Sequence, residues 1–556
     1  MKKRVVAIGL DAADPEMLER WFAMGELPNL HELQRTSTSC RFVNTVRYRD
    51  TIAPYGATEG SWVALQSGVK PMTTGYWETV RYDPRTYALG NDPVEGGYDY
   101  REFPPFFALG EDYRVAVFDL PVSARADHVS GIQVLGWGGH YPYVRRESEP
   151  AHLLAEINNR FGKNEVVYND YGVFWKPNYQ RWLEAASLRS VRARAKICHE
   201  LLDREPWDLF AAVFGESHGA AHDLWFASDP SHPVHAAWQG DHDPLLNVYR
   251  ALDDAVGSLA KRVGPDDYFL CYSPHGMQPN VTDVCDFILL PELLYRFNFP
   301  GQIGFDPADS DAGSTGSPPP PQLSGKHWYW FGDIWRQRHM KSALMRRLRR
   351  HLPGWLIPPN RDFHFPYFQD WFGAAGWIPA VWYRPAWSRM RSFALPSYAD
   401  GHVRINVAGR ETHGIVEPSE YEAECDRVSN FLRSATDARS GLPLVQDVIR
   451  TRTDPLDPNP RLPNADLMIV WQDRPVDVVD APGVGRVGPF PYYRSGGHRN
   501  CGFMMIRGPG VPAGQTGADV ETVDFAPTVL EMLGAPIPEH FEGRSLMSQF
   551  ASTCGR

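Results

Sequence analysis

Five side chains in this sequence stand beside apolar segments and are of the types that bind metal ions. They are Asp11, His218, His222, His275 and His498. His218 and His222 are four residues apart, so on a helix both lie on one face, a spacing that suits two ligands of one metal ion. A lone histidine is more often structural. Four histidines with one aspartate at such positions instead indicate a metal centre, since zinc takes imidazole and carboxylate ligands.

A hydroxyl that could act as a nucleophile is found at Thr58. It stands where a loop rich in glycine and proline leads into a predicted helix that stops at Gly68. A hydroxyl at the start of a helix is usually an N-cap, and this is the alternative role of both Thr58 and Ser61. Beside a bound cation, the same threonine hydroxyl would be an activated nucleophile.

Short apolar segments must position these residues. The runs 5–10, 114–118, 207–214 and 267–272 have almost no polar face, which is typical of strands buried on both sides in a parallel sheet. Helical stretches separate these runs. Ligands of open α/β sheets bind at the carboxyl ends of the strands, so we expect Asp11 at that edge. The sequence therefore predicts an α/β fold with a mostly parallel central β-sheet flanked by helices.

Composition and charge exclude several functional classes. The 556 residues are 43% hydrophobic and 22% charged, as in soluble globular proteins with a sizeable core. With 56 Lys and Arg against 67 Asp and Glu, the net charge is -11, so we expect no general nucleic-acid binding. No apolar run approaches the roughly 18 residues of a membrane span, and the run after the basic N-terminus is too short for a signal peptide. We therefore expect no membrane span and a cytoplasmic location.

The character of the chain changes between residues 301 and 395. Four consecutive prolines at 318–321 indicate a linker, and a segment dense in Trp, Tyr and Arg follows, with a basic helix predicted within 334–352. The basic side of this helix is a solvated surface, a face that meets an anionic substrate, or the polar face of a membrane-surface helix. We interpret 301–395 as a cap-like insertion between a first part of the core, 1–300, and a second part, 396–556.

These motifs, taken as a set, resemble the alkaline phosphatase superfamily and, within it, the type I phosphodiesterase/nucleotide pyrophosphatase group. They run through the chain in the order that the family has. They are residues 5–11, 27–30, Thr58 ten residues before Gly68, 275–277, 495–499, 508–510, 524–528 and 543–546.

The resemblance implies two metal sites, usually zinc, about a threonine or serine nucleophile. It implies that Thr58 is the nucleophile, that Asp11, Thr58 and His275 hold one metal, and that His222 and His498 hold the other. The family usually has aspartates where this chain has His218 and Pro274. His218 is a chemically reasonable replacement in a three-histidine zinc site. Pro274 leaves the Asp11 site one carboxylate short, and we name Glu59 and Glu216 as possible additional ligands.

The activity implied by the resemblance is metal-dependent hydrolysis of a phosphoester, a phosphodiester or a pyrophosphate, through a phospho-threonine intermediate. We expect one or two zinc ions per chain, with manganese as the alternative, and a small anionic phosphoester as substrate. Two other functions stay open. One is a phosphatase or phosphoryl transferase that uses the same site, and the other is a catalytically impaired metal-binding paralogue with a binding or structural role.

Overall fold

A computed structural model describes residues 3–55, 58–91, 97–138, 145–166, 176–304, 317–321, 378–492 and 494–553. The chain divides into two compact units. The first comprises Met1–Thr79, Asp92–Pro279 and Arg494–Arg556, and the second comprises Val80–Asn91 and Asn280–Tyr493. Each unit is described by itself.

The elements are numbered in chain order. The strands are β1 (Val5–Leu10), β2 (Thr38–Phe42), β3 (Thr45–Tyr48), β4 (Thr51–Pro54), β5 (Val80–Asp83), β6 (Ala88–Asn91), β7 (Gly110–Phe118), β8 (Val129–Leu135), β9 (Glu147–Glu149), β10 (Leu209–Phe214), β11 (Tyr268–Ser273), β12 (Gly276–Pro279), β13 (Ser392–Leu395), β14 (Gly401–Ile405), β15 (Thr436–Asp437), β16 (Val445–Arg450), β17 (Leu467–Trp471), β18 (Val479–Ala481), β19 (Gly485–Val487), β20 (Gly496–Arg499), β21 (Gly502–Arg507) and β22 (Gln515–Thr516). The α-helices are α1 (Pro15–Ala23), α2 (Pro28–Arg35), α3 (Glu59–Ser67), α4 (Pro71–Thr74), α5 (Leu153–Phe161), α6 (Pro177–Arg204), α7 (Glu216–Ser228), α8 (Pro244–Ala260), α9 (Leu290–Asn298), α10 (Pro379–Trp382), α11 (Arg384–Trp387), α12 (Tyr421–Arg433), α13 (Phe525–Leu533) and α14 (Met547–Thr553).

The first unit is built on a sheet in the strand order β22-β2-β21-β11-β1-β10-β7-β8-β9. The strands β11, β1, β10, β7 and β8 at its centre run parallel, with Val5 of β1 opposite Leu209 of β10 and Tyr268 of β11. β21 and β9 run antiparallel to their neighbours. The predicted mostly parallel central sheet is therefore confirmed.

Both faces of this sheet are covered, which explains why the strands lack a polar face. Alternate residues of β1 enter two different cores: Val6, Ile8 and Leu10 pack on one side, and Val5 and Ala7 on the other. The first core is completed by residues of α1, α2, α6, α7 and α8, and the second by residues of α3 and α13. A strand between two helical layers gains from apolar residues at every position. The predicted α/β fold with flanking helices is confirmed.

Local capping signals mark the start of the first helix. Asp14 is the N-cap of α1, where its side chain accepts hydrogen bonds from the backbone N–H groups of Glu16 and Met17, and Pro15 is the first helical residue. Pro at this position loses no helical hydrogen bond, since the first N–H groups of a helix have no partner inside the helix. The turn from β1 into α1 leaves Asp11 at the carboxyl end of the strand.

The second unit contains an antiparallel sheet in the order β13-β14-β17-β16 and smaller sheets that include β15-β18-β19 and β5-β6. Its core holds a buried ion pair in which Arg410 donates from Nη2 to Asp466 at 2.7 Å. Most of the predicted insertion 301–395, with the basic helix, lies outside the described residues. The division into 1–300, 301–395 and 396–556 stays a prediction. Within the described residues, no helix combines the length and apolarity needed to cross a membrane.

Candidate metal centre

The fold of the first unit brings the predicted site residues together at one edge of the sheet. Asp11 follows β1, His218 and His222 lie on α7 directly after β10, and His275 follows β11. His498 lies on β20, which pairs with β12 so that Met277 stands opposite His498. Because β1, β10 and β11 are parallel neighbours, their carboxyl ends meet at the same edge. All of these side chains are buried.

The Nε2 atoms of three histidines lie close together. Nε2 of His218 lies 2.7 Å from Nε2 of His222 and 3.2 Å from Nε2 of His498. Each of the three residues offers one ligand atom, and these three atoms all lie within 4.8 Å of one another. Among the described residues, this is the cluster of side chains that could hold a metal ion. Three imidazoles make a set of zinc ligands that is known in catalytic sites.

The other ring nitrogen of each histidine has its own partner. Nδ1 of His218 donates to Oδ2 of Asp11 at 3.0 Å, and Nδ1 of His222 donates to the carbonyl of Gly496 at 2.8 Å. Nδ1 of His498 lies 2.8 Å from Oγ1 of Thr58. A histidine whose Nδ1–H is donated in this way keeps a lone pair on Nε2, which is how ligand histidines are usually oriented.

The surroundings of His222 favour its neutral form. Burial lowers the pKa of His222 well below its usual 6.5, and the neighbouring charge of Arg494 lowers it further. A neutral imidazole is the form that binds a metal. The converging lone pairs repel one another unless a cation lies among them, so the donor set of His218, His222 and His498 fits a divalent metal.

Asp11 and His275 form the neighbouring part of the site. Oδ1 of Asp11 accepts from the indole Nε1 of Trp62 at 2.9 Å and lies 3.4 Å from Nε2 of His275. That Nε2 is buried and has no hydrogen-bond partner among the described residues. Native proteins rarely leave a buried polar atom unpaired, and a metal ion bound here would engage the lone pair of this nitrogen. His275 therefore also fits a ligand role.

Thr58 lies at this centre and does not cap its helix. It precedes α3, but its side chain makes no capping hydrogen bond, so the N-cap alternative is not what the structure shows. The hydroxyl is buried and contacts His498 instead, at 2.8 Å from Nδ1 and 3.3 Å from Nε2. A hydroxyl within hydrogen-bond reach of a histidine is one arrangement found in covalent catalysis.

The other positions discussed for the metal sites, Pro274, Glu216 and Glu59, do not belong to the cluster of three histidines. Pro274 offers no side-chain ligand, and its carbonyl lies 3.4 Å from Nδ2 of Asn44. The carboxylate of Glu216 is engaged by Arg194 at 2.9 Å and by the hydroxyl of Ser190 at 2.6 Å. Glu59 is the buried first residue of α3 and does not belong to the converging group. The role of Glu59 or Glu216 as an additional ligand stays a prediction, and the ion pair of Glu216 argues against it.

One residue of the site is missing from the sequence-based prediction. Arg494 is buried, and its Nη1 lies 3.0 Å from Nε2 of His222. The contact joins residues 272 positions apart, so no spacing pattern indicates it. The one signal in the sequence is that an arginine stands four residues before the predicted ligand His498.

Comparison with known proteins gives a family match and distant structural similarity. The family model described as type I phosphodiesterase / nucleotide pyrophosphatase matches residues 5–298. No curated protein sequence matches the chain. Among solved structures, human ectonucleotide pyrophosphatase / phosphodiesterase 5 is similar over 98% of this chain and 99% of that chain, at 10% identity and a TM-score of 0.47. Phosphonoacetate hydrolase from Sinorhizobium meliloti 1021, in complex with phosphonoformate, is similar over 96% of each chain, at 12% identity and a TM-score of 0.45.

Proposed function

The chain belongs to the type I phosphodiesterase / nucleotide pyrophosphatase family and is a hydrolase, and we propose that it cleaves a phosphodiester or pyrophosphate bond through a covalent intermediate on Thr58. The observation that carries the proposal is the position of the threonine hydroxyl. Its Oγ1 lies 2.8 Å from Nδ1 of His498, whose Nε2 points into the cluster of three histidines. A buried hydroxyl with this neighbour is held for attack rather than for helix capping.

In the proposed reaction, Oγ1 of Thr58 forms a bond to phosphorus while the bond from phosphorus to the leaving oxygen breaks. The leaving oxygen takes up the proton that the hydroxyl gives up. Water then attacks phosphorus, the bond to Thr58 breaks, and the threonine recovers its proton. His498 orients the hydroxyl, and Trp62 holds Asp11 in place through its indole N–H.

The residues that would hold metal ions are Asp11, Thr58 and His275 on one side and His218, His222 and His498 on the other. A bound divalent ion lowers the pKa of a nucleophile and neutralises charge on the phosphoryl oxygens. The histidine ligands favour zinc, with manganese as the alternative. Two observations support this assignment: the three Nε2 atoms converge, and the buried Nε2 of His275 has no hydrogen-bond partner in the part of the chain that the structure describes.

One observation favours a second candidate function. Pro274 stands where the family usually has an aspartate, and its only polar atom is a backbone carbonyl. A chain with a weakened site would bind metal and ligand without turnover. The alternative of a phosphatase or phosphoryl transferase uses the same nucleophile and differs in the substrate and in the acceptor of the phosphoryl group.

The test is a substrate panel with a trapping experiment. The zinc-loaded protein is assayed with phosphomonoesters, phosphodiesters, pyrophosphates and sulfate esters, and the reaction is quenched in acid during turnover. We expect hydrolysis of diesters or pyrophosphates and a peptide in which Thr58 is esterified by the phosphoryl group, identified by mass spectrometry. From a phosphodiester, this adduct keeps the ester group that does not leave. Faster turnover of monoesters would instead identify a phosphatase. Full metal occupancy without any turnover would identify the impaired paralogue.

A further inference from the structure

The two carboxylate oxygens of Asp11 are bound by two different donors. Oδ1 accepts from the indole Nε1 of Trp62 at 2.9 Å, and Oδ2 lies 3.0 Å from Nδ1 of His218. A carboxylate only accepts hydrogen bonds, so Nδ1 of His218 carries the proton and is the donor. In the neutral ring the lone pair is then on Nε2, the atom that lies close to Nε2 of His222 and of His498 in the three-histidine site. The contact with Asp11 thus selects the form of His218 that can bind a metal at this site.

The backbone around Asp11 fixes this contact. The N–H of Asp11 donates to the carbonyl of Phe214 at 3.0 Å, and the hydroxyl of Ser217 donates to the carbonyl of Asp11 at 2.7 Å. Phe214 is the last residue of β10, and Ser217 stands directly before His218 on α7. The end of β1 is therefore tied to the start of the helix that carries His218. The carboxylate and the imidazole are held within hydrogen-bond distance by the fold itself.

Trp62 holds the other carboxylate oxygen from α3. Its ring is completely buried, and the ring centroid lies 6.1 Å from that of Tyr272. Its backbone N–H donates to the carbonyl of Thr58 at 3.1 Å, so one residue is bonded both to Asp11 and to the backbone of the proposed nucleophile. An indole N–H only donates. Residue 11 must therefore accept on both of its outer atoms, which a carboxylate does and an amide, with a single oxygen, does not.

We propose that Asp11 is a positioning residue for the metal ion of the three-histidine site, in addition to its proposed role as a ligand of the other ion. His218 stands where the family usually has an aspartate. An aspartate binds a metal through either oxygen, whereas an imidazole binds through one ring nitrogen and depends on a partner that fixes the proton on the other. The inference rests on the proposed function for the metal ligands, but not on the reaction at Thr58.

The experiment measures the dissociation constant of the first, more tightly held zinc ion by competition with a chelator. The proteins are the wild type, Asp11→Asn, Trp62→Phe and the double variant. Asp11→Asn should weaken zinc binding by about 10- to 100-fold, as for other lost partners of ligand histidines, because one amide oxygen cannot serve both donors. Trp62→Phe alone should bind zinc as the wild type does. The double variant should bind zinc more tightly than Asp11→Asn, since without the indole the amide oxygen is free to accept from His218.

Two further variants show which ion is measured. His275→Ala removes a proposed ligand of the other ion and leaves the bond between Asp11 and His218 in place, so the first zinc ion should bind as in the wild type. His222→Ala removes a proposed direct ligand and should weaken the first ion more than Asp11→Asn does. Circular dichroism is recorded for each protein, and the visible absorption of bound cobalt(II) reports any change in the ligands of the ion.

Each other outcome decides the matter. A zinc affinity of Asp11→Asn equal to that of the wild type overturns the inference. An equal loss in His275→Ala also overturns it, because damage to the other ion site would then explain both losses. A double variant that binds zinc no better than Asp11→Asn overturns it as well, since the two donors would not compete for the amide oxygen.

NMR of the wild type decides if Asp11→Asn does not fold. The ¹⁵N shifts of the His218 ring in the zinc-loaded protein should show a proton on Nδ1, and a metal on Nδ1 would overturn the inference. A wild type that binds no zinc overturns the inference together with the metal assignment. If zinc binding depends on Asp11 as expected but no member of the substrate panel is hydrolysed, the proposed function fails and the inference stands.

Discussion

Nε of Arg194 lies 2.9 Å from one carboxylate oxygen of Glu216 and 3.0 Å from the other, and both side chains are completely excluded from solvent. Arg194 lies on α6 and also donates to Asp119 at 2.7 Å. Glu216 is the first residue of α7, the helix that carries His218 and His222. The ion pair therefore fixes the start of the helix that supplies two of the three converging histidines.

Removal of this arginine should be strongly destabilising. Arg194→Met would leave the carboxylates of Glu216 and Asp119 buried without a counter-charge, and breaking a buried ion pair in this way costs about 3–5 kcal/mol. Urea unfolding followed by circular dichroism measures the loss in the free energy of unfolding. Arg189→Met is the control on the same helix, since its pair with Glu165 is about half exposed and should contribute at most about 1 kcal/mol. Equal losses for the two variants would contradict the structural role of Arg194.

The hydroxyl of Thr58 should be essential for turnover but not for metal binding by the histidines. We expect Thr58→Ala to retain zinc at His218, His222 and His498 and to lose far more than 10-fold in kcat, because the substitution removes the hydroxyl that is proposed to attack phosphorus. Ser67→Ala is the control, since this hydroxyl of α3 donates to the carbonyl of Val63 at the other end of the helix. A kcat above about a tenth of the wild-type value, a loss below about 1.4 kcal/mol, would disprove the assignment.

The sequence allows the fold and the gathering of Asp11 and the histidines to be predicted, because both follow from local patterns. Apolar runs without a polar face predict parallel strands, and parallel strands bring their carboxyl ends to one edge. The role of these residues as ligands stays a prediction. The contacts of Arg194 with Asp119 and of Arg494 with His222 join residues 75 and 272 positions apart. Such pairs depend on how α6 and the segment before β20 pack, which no periodicity encodes. For Thr58, sequence alone left capping and catalysis open. The structure shows no capping hydrogen bond from its side chain, and its catalytic role stays a prediction.

Asp14 should make the stability of the protein depend on pH. Burial raises the pKa of Asp14 to about 6 from 3.8, against the opposing charge of Arg499. Between these values the folded state holds a proton that the unfolded state has released, so the free energy of unfolding falls as pH rises from about 4 to above 6. At about 1.4 kcal/mol per pKa unit, the free energy of unfolding falls by roughly 3 kcal/mol over this range.

Asp14→Asn tests this dependence, because asparagine keeps the N-cap of α1 and does not titrate. We expect the variant to gain stability relative to the wild type as pH rises from 4 to 7, measured by urea unfolding at each pH. His232, whose pKa burial lowers to about 4, changes stability in the opposite direction, but it is present in both proteins and cancels in the difference. A difference in stability that stays constant with pH would show that Asp14 titrates normally.

Pro274 stands at the point where the family usually has a carboxylate ligand. Without that ligand, Asp11, Thr58 and His275 offer one carboxylate, and a missing anionic oxygen lowers the affinity for a divalent ion. We expect the protein to be purified with about one zinc ion, held by His218, His222 and His498, and to gain activity when zinc or manganese is added. Pro274→Asp should raise the stoichiometry towards two.

Pro274→Ala is the control, because it removes the proline ring without adding a carboxylate and should leave the stoichiometry unchanged. Metal analysis of the three proteins, with a titration of activity, makes the comparison. Two tightly held ions in the untreated wild type would show that another residue already serves as the missing ligand, and Glu59 would be the first to test, since Glu216 is held by Arg194.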